Sequence, residues 1–187
     1  MRTAHLCLLA IGLAWILAGQ ESPSPVALPR EPDSFLGVNF LDPEEQAKSA
    51  LNFNQCGFEM RQLTPEQKQN TPPDKWFEPN TRYCTATLEL NNWQVIARFR
   101  FINDRLVQVS GTFEPDKFDG IKKYFEEKYG PATMFRQSDT VGAKGEHHVA
   151  ESAAWKGKRT SLIMTSSGPT PEMGSFTIGL IEGSAQK

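Results

Sequence analysis

The residues best suited to chemistry are His147 and His148, flanked by Glu146 and Glu151, because imidazole and carboxylate are both zinc ligands. Whether they could share an ion depends on the backbone beneath them. On a strand, consecutive residues point to opposite faces and the imidazoles separate; on a loop they could converge. Gly142 and Gly145 and their polar surroundings favour a mobile, solvated surface turn over a metal centre. A small secreted enzyme, such as a metal-dependent hydrolase using the 142–151 loop, is therefore the alternative function. Other signatures of catalysis are missing, with no G-x-S-x-G, G-x-G-x-x-G, P-loop or H-E-x-x-H in the chain. Ser110, beside Gly111, fits a packing or turn position better than a nucleophile. No catalytic residue, metal or cofactor is assigned.

Two further pairs have types suited to recognition. Trp76 and Phe77 stand between Lys75 and Glu78 on a proline-rich stretch, where aromatic residues can anchor an interface. The competing and favoured expectation is that they fold back and plug one end of a sheet, since such a loop otherwise exposes too much apolar area. Arg98 and Arg100 alternate with buried positions of a strand, so they could grip an acidic partner or simply keep the sheet soluble.

The chain's start predicts where this chemistry would operate. Arg2 and His5 precede an apolar run over 6–18, and Ala18-Gly19 leads into polar residues, the pattern of a secretory signal peptide. Thirteen apolar residues are too few to span a membrane, which takes about 20. Leu17-Ala18-Gly19 is followed by Gln20 where a lipid-bearing Cys would stand, so no stable membrane anchor is expected. Cys7 leaves with the leader, and the remaining pair, Cys56 and Cys84, is expected to form a structural disulfide in an oxidising compartment. On the chain-entropy model that bridge contributes about 3.5 kcal/mol. Without residues 1–19 the charge is 19 bases against 22 acids, or −3, which is the wrong sign for a nucleic-acid binder.

Several elements would position these groups. Four prolines in 20–34 predict a disordered linker, and the fold is expected over 35–183, divisible at 113/114, with 184–187 as a tail. Asp42-Pro43-Glu44-Glu45 reads as a helix start with Asp42 as N-cap, carried by Ala47, Ala50 and Leu51 and stopped at Gly57. A short strand over 58–63 and a polar loop over 64–81 follow. Three β-rich runs at 83–90, 93–102 and 105–113, joined by Asn91-Asn92 and Asn103-Asp104, predict an antiparallel meander. Residues 115–129 form the clearest helix, with Phe118, Ile121, Phe125 and Tyr129 on one stripe and Gly130-Pro131 as its stop. Weaker strands are expected at 133–137, 149–156, 160–166 and 175–182.

The order is therefore a helix with about four strands, given twice: an α+β fold with antiparallel sheet and two main helices on one face. This order resembles the β-lactamase inhibitor protein fold, and the 99–104 hairpin edge (FRFIND), the Arg105-Leu106-Val107 strand and the Lys128-Tyr129-Gly130-Pro131 helix end are similar to many exported bacterial domains. The order is also similar to that of the small lipoproteins of the outer-membrane assembly machine. The resemblance implies a protein that binds other proteins or envelope components with its sheet face, and it transfers no functional residue. The expected function is thus a non-catalytic binding or envelope-associated protein, exported to the periplasm or secreted. Its partner is expected to be another exported or envelope protein.

Overall fold

The computed structural model describes residues 30–141, 147–168 and 172–181. The expected leader and tail lie outside these residues, as does most of the expected linker. The part of the linker that is described is docked: Glu31 accepts hydrogen bonds from the backbone of Arg159 and Thr160, and Ser34 already belongs to a strand.

A small hairpin, β1 (Ser34–Phe35) and β2 (Val38–Asn39), leads into α1 (Glu44–Ala50). Asp42 does not cap this helix. Its Oδ2 accepts from the Asn39 backbone N–H at 2.8 Å, closing the preceding turn, and Pro43 takes the cap position. Nor does the helix reach Gly57: Leu51 turns extended, and Gly57 lies in β3 (Gln55–Met60), where Cys56 stands opposite Cys84. The expected 64–81 loop is also structured. Thr64 and Gln67 form a reciprocal capping box on α2 (Pro65–Asn70), a 3-10 turn follows at Pro73–Lys75, and β4 (Phe77–Leu90) starts early.

The meander is as expected. β4, β5 (Trp93–Ile102) and β6 (Arg105–Phe113) are joined by two-residue turns whose Asn91, Asn92, Asn103 and Asp104 all have positive φ. A 3-10 turn at Pro115–Lys117 runs into α3 (Phe118–Tyr129), which Gly130 stops at φ 88°. The remaining strands are β7 (Met134–Val141), β8 (His147–Lys156), β9 (Thr160–Thr165) and β10 (Gly174–Leu180).

β3 to β10 form one antiparallel sheet in the order β3-β4-β5-β6-β10-β9-β8-β7. The fourth strand of one half therefore pairs with the fourth strand of the other, and the halves run outward in mirrored sequence. At this junction Gly111-Thr112-Phe113 lies antiparallel to Gly174-Ser175-Phe176, so each Gly faces the other strand's Phe and Thr112 faces Ser175. A Cβ on Gly111 would run into the Phe176 ring and stand 2.9 Å from Val95. The glycine is what lets that ring lie across the strand.

One face of the sheet is buried. Phe99, Phe101, Trp155, Leu162, Met164 and Phe176 are fully buried there, under Phe118, Ile121, Phe125 and Tyr129 of α3 and the Phe35 hairpin. Phe125 meets Phe176 edge-on at 5.3 Å, Trp155 at 5.9 Å and Tyr129 at 6.2 Å. Aromatic contacts of this kind contribute about 0.5–1.5 kcal/mol each beyond area burial. The polar tips are satisfied, with Trp155 Nε1 donating to Gly130 O and Tyr129 Oη to Ser34 O, both at 2.7 Å. Burial holds the Tyr129 hydroxyl well above its usual pKa. α1 lies on the same face, and its buried Glu44 reaches Lys48 Nζ at 2.9 Å and Arg82 Nε at 3.3 Å. Glu44 Oε2 and Arg82 Nε meet as charges, without hydrogen-bond geometry.

Candidate binding surface

Strand alternation turns the intervening residues to the other face, and the register aligns them in rows. One row reads Thr87, Ile96, Thr112, Ser175, Thr165 and Ser152, and ends at Arg136 on β7. The next runs from Thr85 through Arg98, Ser110, Thr177, Ile163 and Ala154 to Met134. A third contains Tyr83, Arg100, Gln108, Gly179, Ser161 and Lys156. Short hydroxyl side chains dominate and leave the apolar members prominent: Ile96 is 62% and Ile163 56% exposed. Ser110 thus lies within β6 between Arg98 and Thr177, not at a turn.

The charge on this face is lopsided. Among the described residues its rows carry Arg98, Arg100, Arg136 and Lys156 against Glu59 and Glu89, although acids outnumber bases in the chain by 22 to 20. Glu59 reaches over from edge strand β3 and serves both arginines, at 3.4 Å from Arg98 Nη2 and 2.7 Å from Arg100 Nε. The Arg98 guanidinium also lies 4.3 Å from the centre of the Tyr83 ring. Arg136 and Lys156 form no ion pair among the described residues. At one end of the face a groove of about 530 Å³ runs between Trp93, Ile96, Phe113 and Met173.

Trp76 and Phe77 do not act as a pair. The Trp76 indole folds back and donates to Thr71 O at 2.8 Å, while Phe77 is 42% exposed. Phe77 instead joins Phe58, 6.2 Å away, and Met60, its partner across β3 and β4, in an apolar cluster on the helix side of the sheet edge. Phe58 and Met60 are not recognisable as this cluster's members from the sequence, because nothing local shows that Phe77 pairs with Met60 across β3 and β4.

His147 is an exposed residue opening β8, Glu146 lies outside the described residues, and the Glu151 carboxylate accepts from Gln137 Nε2 at 2.8 Å. The His147/His148 pair therefore begins a strand and does not sit on a loop, although the 142–146 segment before it is not described. The metal-ligand types that do gather among the described residues are Glu44, Cys56 and Cys84. There the two cysteines are bonded to each other, so neither offers a thiolate.

Comparison with known proteins adds no relative: no family model, curated protein or solved structure matches this chain.

Proposed function

We propose that this chain is an exported, non-catalytic binding protein that presents the open face of its sheet to another exported or envelope protein. The observation that carries this reading is the open face itself. The buried face is packed with aromatic rings, yet the same strands show solvent a broad surface of hydroxyls, isolated isoleucines and excess positive charge. Arginine and tyrosine are enriched at interfaces, and Arg98, Arg100 and Tyr83 stand together on this face. The Cys56–Cys84 disulfide fits an oxidising compartment, and no helix among the described residues is long and apolar enough to cross a membrane.

The test is a photoreactive residue placed at Ile163 on the open face, or at Lys123 on the outer side of α3, in the cells that make the protein. The expected result is a discrete protein adduct from Ile163 and none from Lys123. Adducts from Lys123 alone, or from neither position, would overturn the reading.

A further inference from the structure

We propose that Arg98 and Arg100 form a carboxylate clamp for an acidic side chain of the protein partner, and that Glu59 occupies the clamp in the free protein. The inference rests on the open face being the binding surface, and it names what that surface grips. Both arginines converge on one carboxylate, Arg100 through a 2.7 Å hydrogen bond and Arg98 at 3.4 Å. Each guanidinium carries five N–H donors in a fixed fork, so one carboxylate leaves most of them unused. Stacking on Tyr83 holds Arg98 in place without consuming those donors.

Glu59 can act as the stand-in because of where it comes from. It belongs to edge strand β3 and crosses β4 to reach β5, so it can swing away without disturbing the sheet between. Its departure would uncover two cations on a face where Arg136 and Lys156 form no ion pair among the described residues. Beside the pair opens a groove of about 470 Å³ lined by Glu59, Arg61, Gln67, Glu78 and Arg100, which gives an incoming chain a path to the clamp. Charge complementarity selects an acidic partner, and the planar fork of the arginines favours carboxylate pairs on a protein. No bond forms or breaks; one carboxylate replaces another.

The experiment titrates the full oxidised chain with a decaglutamate peptide at low salt, reading amide NMR shifts. Decaglutamate is expected to shift amides around Arg98 and Arg100. Glu59→Gln should bind about four-fold more tightly than the parent, the effect of removing a like charge close to the ligand in a largely solvated site. Glu89→Gln removes the same charge elsewhere on the face and should change binding less than two-fold. Arg98→Ala/Arg100→Ala should weaken binding about ten-fold or more while keeping the parent's amide pattern elsewhere. The clamp is overturned if Glu59→Gln gains no more than Glu89→Gln, or if the double arginine variant binds like the parent. It is also overturned if inorganic polyphosphate of equal charge binds more tightly than decaglutamate, which would make the face a phosphate-polymer surface. An Ile163 adduct that persists while decaglutamate ignores the arginines would leave the binding surface standing and remove the clamp alone.

Discussion

The two faces of the sheet are built from the same strands and differ in nearly everything else. Along β5, Val95, Ala97, Phe99 and Phe101 are fully buried, whereas Ile96, Arg98 and Arg100 between them face solvent. Along β10, Phe176 and Ile178 are buried and Thr177 is exposed. The covered face accounts for stability through ring packing. The open face has no layer packed on it among the described residues, so it is expected to contribute little to folding. Substitutions should separate the two roles.

The largest effect is expected at Trp155, which is fully buried, touches Phe125 and ties α3's end through Gly130. Trp155→Ala should lower unfolding free energy by about 3–5 kcal/mol in urea titration, whereas Ile163→Ala on the open face should cost under about 0.5 kcal/mol. Equal losses would erase the distinction between the faces. Opening the disulfide by Cys56→Ala/Cys84→Ala should cost about 3–4 kcal/mol, given its sequence separation of 28, and leave the far half's amide spectrum unchanged.

Next comes the junction of the halves. Gly111→Ala should destabilise by about 1–3 kcal/mol, because the new methyl meets the Phe176 ring, while Ser110→Ala, one residue away on the open face, should be near neutral. Thermal unfolding of the two variants side by side measures the contrast within one strand.

The smallest effect concerns the docked N-terminal segment. Burial raises the Glu31 pKa, but hydrogen bonds from the Arg159 and Thr160 backbone and the Thr160 hydroxyl outweigh it and hold the carboxyl below its ordinary value. A carboxylate lowered in this way stabilises the fold above its unfolded pKa, about 4.3, and loses that contribution as pH falls through the lowered value. Amide exchange at Thr160, relative to the unfolded chain's rate at the same pH, should therefore accelerate on acidification below the ordinary carboxylate value. In Glu31→Gln it should already be fast at neutral pH.

Much of this architecture was legible, and the failures have identifiable causes. The meander and α3 were readable because period-2 and period-3.6 patterns were long and ended in Asn-Asn, Asn-Asp and Gly-Pro. α1 was drawn too long because Gly57 looked like a stop, when its position is set by the strand that brings Cys56 to Cys84. α2 was missed although Thr64-x-x-Gln67 spells its capping box, since the surrounding prolines dominated the reading. The halves showed no overall identity, yet Gly-Thr-Phe and Gly-Ser-Phe stand in their fourth strands, and only the pairing shows that these triplets interlock. Arg98 and Arg100 were correctly placed on the solvent side. Glu59 was not connected to them, because nothing local predicts that an edge strand reaches across its neighbour.

The most direct test of the account is hydroxyl-radical footprinting of the full chain, comparing purified protein with protein inside the cells that make it. Met134 and Ile163 mark the open face, and Met60 and Phe58 mark the apolar edge on the helix side. Protection of Met134 and Ile163 in cells, with Met60 and Phe58 labelled as in the purified protein, is the predicted result. Protection confined to Met60 and Phe58, or no change at any of the four, would contradict a binding role for the open face.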